Sequence, residues 1–404
     1  MKILQFFGVE IGRGFSVALI LLPLVFSVGV AAADWQSELA AVFDVVETFD
    51  NLMDWRGKRG NTGVSFEEDA TDFPKRIDGG PSIWQYYYVN AKEIYFDQDW
   101  IRNHGEGYVW RGSGKSMIID YGIIGSTNLE DVKGPCRLGF KIGNAPNDGY
   151  PETVHVFFMS KWPRSFFKIV SEEFVSHKFL KTLDISAGFR TVREFGTVAE
   201  QAWLYAHCPE GYPNGQVLHE YGMNAQVYNF LAYGGKREVV ANTVLVTQQP
   251  GEYLPYCNYN GSNSWPYTDA EVGQQILAGK WLGLEYRVRM SRPHGAANGE
   301  FETWVYDEQG AVIGHHLKTD VVNFNDGGTP YNHSWNKFVW GGNRYDGAYC
   351  GDLGPGCSFG ATEHFYLDDI VVHGSRIGPT YFSLLNGASM VVVPDPPSSL
   401  KIVP

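Results

Sequence analysis

Apolar and polar residues alternate with a period of two along several short stretches of this chain. In WLGLEYRVRM, Leu282, Leu284, Tyr286, Val288 and Met290 fall on one side, and Glu285, Arg287 and Arg289 on the other. One apolar and one polar face describe a strand that covers a core and meets water. MNAQVYNFL repeats the pattern, with Met223, Ala225, Val227 and Leu231 opposed to Asn224, Gln226 and Tyr228. In CRLGFKIG, Arg137 and Lys141 alternate with Leu138, Phe140 and Ile142, so the two bases leave the core together. SMIIDYGII, TVHVFFMSKW, HKFLKTLDI, GEFETWVYD, KFVWGG and HFYLDDIVVH are further strand-length runs, bounded by Gly, Pro, Asn and Asp. Helical spacing is clear in DWQSELAAVFDVVETFDNLMDW, or in its first half. Strands at this density predict an all-β fold: a jelly-roll sandwich of two antiparallel sheets with a short N-terminal helix.

The N-terminus adds a compartment. Lys2 and Arg13 precede an uncharged run from Phe15 to Val30, and Ala31-Ala32-Ala33 stands before Asp34. That order is the signature of a cleaved secretory signal peptide. The expected organisation is a signal peptide over 1–33, a helical lead-in over 34–58, a jelly-roll domain over 59–385 and a Pro-rich tail over 386–404. The mature protein is then secreted, periplasmic or extracellular, with no membrane span after cleavage. A composition of 47 Gly, 20 Pro, 12 Trp, 23 Tyr and 25 Phe agrees with strands and tight turns. The net charge of -13 argues against a general nucleic-acid binder and leaves room for a locally basic groove.

Candidate chemistry changes the picture little at first. Gly114-Lys115-Ser116 resembles the end of a phosphate loop, but Val109 stands where that loop needs glycine. A strand pattern, SMIIDYGII, follows in place of the helix that would complete the cradle, so the tripeptide reads as a turn and no nucleotide is expected. Of five cysteines, Cys350 and Cys357 are the expected disulfide, closing CGDLGPGC; Cys208 with Cys257 would leave Cys136 alone. The aromatic loops YLPYCNYNGSNSWPYTD and YNHSWNKFVWGGNRYDG are suited to stacking on sugar rings. The pair His315-His316 reads as exposed turn residues.

The second half carries a family likeness. WLGLEYRVRM, then the E-x-W-V strand at Glu302 to Val305, then LDDI and the closing Ile377-Gly378-Pro379, resemble the concanavalin A-like lectin/glucanase superfamily. The resemblance is to its jelly-roll modules in secreted polysaccharide lyases. It implies recognition of a polysaccharide or glycan in a concave-sheet groove. Carbohydrate-binding candidates are Lys141, Asn224, Trp265, Trp335, Asn343, Arg344 and Tyr345. The paired acids of the glucanases are absent: SEEFVSHKF and YLDDIVV set adjacent acids on opposite faces, which disfavours glycoside hydrolysis. A lyase family of this fold shows Q-[IV]-H, where this chain reads Gln226-Val227-Tyr228; the family's late Y-x-K-x-G-x-Y is not matched.

In a lyase, Arg137 and Gln226 would hold a uronate carboxylate while Tyr228 moves the proton, with Lys178, His219 and Arg344 as further candidates. No cofactor is required. The fold's structural calcium would draw on Asp50, Asp54, Asp368 and Asp369, which stand at the ends of the first and last strands. A non-catalytic structural or adhesive module remains a third expectation.

Overall fold

Each strand expected from the alternation is present, and the first half of the expected helix is helical. The computed structural model describes residues 35–56, 73–89, 94–96, 109–112, 114–123, 136–143, 148–161, 181–187, 224–233, 239–250, 259–269, 272, 275, 278–293, 296–321, 334–342 and 362–387. In chain order come α1 (Trp35–Val42), β1 (Val45–Glu47), β2 (Trp55–Arg56), β3 (Tyr86–Val89) and β4 (Ile94–Phe96). Then follow β5 (Met117–Ile123), β6 (Cys136–Lys141), β7 (Thr153–Lys161), β8 (Lys181–Ala187), β9 (Asn224–Tyr233), β10 (Val239–Pro250) and β11 (Tyr259–Asp269). The last are β12 (Trp281–Arg289), β13 (Gly299–Tyr306), β14 (Val312–Val321), β15 (Trp335–Gly342), β16 (Thr362–His373) and α2 (Gly378–Leu385).

These strands form two antiparallel sheets of an all-β sandwich. The large sheet runs β14-β13-β12-β7-β16-β5-β4-β2, with β1 also on β16; the small sheet runs β11-β10-β9-β8-β15-β6-β3. Two late strands sit at the centre of the order: β15 lies between β6 and β8, and β16 between β5 and β7. The core between the sheets is aromatic. Phe158 of the large sheet meets Trp340 of the small one edge-on at 6.4 Å, Tyr286 continues the row to Phe301, and Phe140 stacks on Trp340. Each fully buried ring of this size contributes about 1.5–3 kcal/mol over exposure. No helix among the described residues is long and apolar enough to cross a membrane.

Four segments differ from their sequence reading. Tyr259–Asp269, read as an aromatic loop, is β11, because pairing with β10 overrides its Asn, Gly and Ser content. His315 and His316, read as turn residues, lie within β14. Ile377-Gly378-Pro379, read as the end of the last strand, opens α2, with Pro at the first turn where its missing N–H costs nothing. Asp368 and Asp369 likewise lie inside β16 rather than at its end.

Candidate functional site

The outer faces of the two sheets carry most of the polar residues away from the core, and they differ. On the large sheet, Glu285 was expected to meet water but is 0% exposed. It accepts from His155 Nδ1 at 2.8 Å and the Tyr306 hydroxyl at 2.7 Å. It also accepts from the backbone N–H groups of Ile377 at 2.8 Å and Gly378 at 3.0 Å. The carboxylate therefore caps α2, whose first amides have no partner within the helix. Burial alone would push the Glu285 carboxyl up; the bonds and charge of His155, with Ile377 and Tyr306, outweigh it and hold the group below the ordinary value. Gly378 completes the joint, since a Cβ there would stand 2.3 Å from the Tyr306 ring. Under α2, Phe157 packs against Tyr381 at 4.5 Å, and Leu39 and Phe43 of the α1 region belong to the same cluster.

Further out, the same face is a ladder of matched charges. Arg287 pairs with Glu300 and Glu302, Arg289 with Glu300 at 2.7 Å, and His315 with Glu302 at 2.7 Å. Trp304 stacks between His155 and His315. The E-x-W-V and closing Ile-Gly-Pro stretches that carry the family resemblance thus serve to seat a helix on a sheet.

A second buried cluster lies where the first strands meet the last. Asp50 accepts from Lys115 N–H at 2.8 Å and from Gln36 Nε2 at 2.6 Å. Asp368 accepts from the N–H groups of Trp110 at 3.0 Å and Asp369 at 2.9 Å. Asp369 accepts from the Tyr381 hydroxyl and stands 3.6 Å from Arg111 Nε; Asp54 pairs with Lys115 Nζ at 2.8 Å. Burial and mutual repulsion push Asp368 up, and burial pushes Asp369 up. Nearby, burial pushes Glu47 up to about 7 despite bonds from Phe49 N–H and Trp84 Nε1. Of the four aspartates expected to hold calcium, Asp368 and Asp369 are buried, and the Asp54 side chain is 51% exposed. Most of the buried oxygens are met by N–H or O–H groups, but Asp369 Oδ1 is buried without a hydrogen-bond partner, and among the described residues no three His, Cys, Asp or Glu are arranged to hold a metal ion.

The outer face of the small sheet gathers the polar residues singled out by alternation. Direct cross-strand partners share a face, and the register reads Gly139↔Val339, Val339↔Asp184 and Asp184↔Gln226. Arg137 and Lys141 flank Gly139 at two-residue spacing, and Asn224 and Tyr228 flank Gln226, so all five lie on this face. The same register adds Lys337, opposite Lys141, Ser186, opposite Asn224, and Lys181, opposite Tyr228. Asp184 and Lys181 were missed in the sequence, although Leu183 and Ile185 alternate with Asp184 and Ser186. At the centre of the face Lys337 and Val339 are 2% and 3% exposed, so the sheet is not bare there. Arg137 and Gln226 are three strand spacings apart, about 14 Å. They are therefore separate positions along the face.

One aromatic candidate is corrected, while Trp265 lies in β11 opposite Leu245 of β10. Trp335 is 0% exposed and donates its indole N–H to the Glu152 carbonyl at 3.1 Å, so no sugar ring can stack on it. Lys178, His219, Asn343, Arg344, Tyr345, Cys350 and Cys357 lie outside the described residues.

No family model matches the chain, and no curated protein matches it. Among solved structures it is similar to the botulinum neurotoxin serotype D binding domain, with 7% identity, a TM-score of 0.36, and 87% of this chain and 52% of that one covered. It is also similar to the binding domain of botulinum neurotoxin DC in complex with rat synaptotagmin II, at 8% identity, TM-score 0.33, and 80% and 51% covered. The same domain in complex with SialylT gives 8% identity, TM-score 0.34, and 80% and 51% covered. The chain thus spans about half the length of these structures.

Proposed function

We propose that this is an exported protein of concanavalin A-like jelly-roll type whose small sheet recognises an acidic polysaccharide on its outer face. The observation that carries the reading is the cross-strand register, which sets Arg137, Lys141 and Lys181 on the same face as Asn224, Gln226 and Tyr228, with Asp184 among them. Basic residues gathered on one face attract an anionic polymer even on a chain of net charge -13. The amides of Asn224 and Gln226 suit sugar hydroxyls. The separation between Arg137 and Gln226 suits a ligand longer than one ring. The test is affinity electrophoresis with alginate, glucuronan and a neutral glucan. Binding of the acidic polymers, weakened by salt, is expected. Retention by the neutral glucan alone removes the acidic reading, and no retention at all favours a structural or adhesive module.

A second reading rests on Lys181 standing opposite Tyr228. A uronate whose carboxylate is neutralised there could lose its C5 proton to Tyr228. The electron pair would form the C4–C5 double bond as the glycosidic oxygen leaves C4 and takes a proton. Absorbance from the unsaturated product tests this lyase activity; bound polymer with a flat trace leaves recognition alone.

A further inference from the structure

We propose that Lys115 is a built-in cation, whose ammonium ties the Leu52 carbonyl to Asp54 at the edge of the acidic seam, in a place a structural metal ion would otherwise take. This inference is independent of the glycan reading. Lys115 Nζ donates to the Leu52 carbonyl at 2.5 Å and lies 2.8 Å from Asp54 Oδ1. Its backbone N–H donates to Asp50 Oδ1 at 2.8 Å. A single residue thus serves a carbonyl and two carboxylates of the 50–54 segment while only 7% exposed. The Leu52 carbonyl and the half-exposed Asp54 carboxylate, which meet at the ammonium, are oxygen ligands of the kind a hard divalent cation takes. An ammonium seated among them leaves that cation no room and neutralises the same charge.

The approach is built in, too. Gly114 has φ +83, and a Cβ on it would stand 1.8 Å from Asp50 Oδ1, so only glycine before Lys115 lets Asp50 reach the lysine's amide. Arg111 acts in parallel on the last strand, 3.6 Å from Asp369 Oδ2, with its guanidinium 3.2 Å above the Trp35 ring. The Gly114-Lys115-Ser116 turn, which resembles a phosphate loop, therefore spends its lysine inside the protein.

Thermal melts of the full chain in EDTA and in calcium chloride test the proposal. The wild type is expected to melt at the same temperature in both. Lys115→Met is expected to melt several degrees lower and to regain part of that loss in calcium chloride, because Leu52 and Asp54 then face an empty seat. A wild type whose melting temperature falls in EDTA and returns with calcium overturns the proposal, as does a Lys115→Met chain that melts with the wild type. A variant that melts low and ignores calcium also overturns it, reducing the lysine to an ordinary ion pair. Should Lys115→Met not fold, the wild-type response to EDTA together with Lys115→Arg, expected to keep most of the stability and the same indifference to calcium, decides the matter.

Discussion

Both sheets carry charged residues on the side away from the core, but the two outer faces are composed differently. On the large sheet Arg287 and Arg289 answer Glu300 and Glu302, and Glu285 is consumed by His155, Tyr306 and the first amides of α2. On the small sheet the register sets Arg137, Lys141 and Lys181 on one face with the amides of Asn224 and Gln226 and the acid Asp184, and Lys337 on that face is buried. Polar residues in a strand do not by themselves mark a site. Where they are matched, they are part of the scaffold.

The comparison can be broken most forcefully at Glu285. Replacing it with Ala strands His155, the Tyr306 hydroxyl and two α2 amides in a buried place, and about 3–5 kcal/mol of stability is expected to go. Urea unfolding measures the loss, and hydrogen exchange should locate it in α2. Polymer retention by the fraction still folded should be unchanged.

Next in size is a pH effect at Glu47, which belongs to the large sheet's first strand. Its folded value of about 7 exceeds the ordinary 4.5, so the folded state binds the extra proton and is favoured below that window. As pH rises from 4.5 through 7 the folded state should lose up to about 3 kcal/mol. Asp50, Asp368 and Asp369, all pushed up, act in the same direction. Glu285 and Asp44, held low by their histidine partners against the effect of burial, act oppositely, stabilising above their ordinary values and losing that as pH falls further. Denaturation midpoints from pH 4 to 8 should therefore decline toward the alkaline end, and Glu47→Gln should flatten the slope. A midpoint that climbs across that range contradicts the assignment.

Gly378→Ala is a smaller perturbation of the same joint. Its methyl must displace the Tyr306 ring, at about 1–3 kcal/mol. The least effect on stability and the greatest on binding are expected from Tyr228→Phe. Folding should change by less than about 0.5 kcal/mol, while affinity for an acidic polymer should drop roughly fivefold, from one lost hydrogen bond. If Tyr228→Phe unfolds the protein while Glu285→Ala spares it, the contrast between the faces is wrong.

The period-two stretches disclosed what depends on local geometry. In β12 alternation separates the face turned to the other sheet from the opposite face, and in β9 it groups Gln226 with Tyr228. It could not say that Arg137 lies three strands away, because strand order is a property of the whole sheet. Nor could it distinguish Glu285, sealed under a helix, from Arg289 nearer water. The helix itself was missed because GPTYFSLL is too short to declare itself by periodicity and is held by tertiary bonds to a residue far away in the chain. The strand at Tyr259–Asp269 was missed for the opposite reason: its residues have turn-like composition, and only pairing with β10 makes the segment a strand.

The central places of β15 and β16 have a consequence for how the molecule forms. Each sheet is split in two until a strand from the last fifth of the chain slots between partners made long before it. Such remote pairings close large loops and slow the search for the native state. A ribosome must therefore have made Trp335–Gly342 before the small sheet, and Thr362–His373 before the large one, can become continuous, and until then four raw strand edges, on β5, β6, β7 and β8, stand ready for the wrong neighbour.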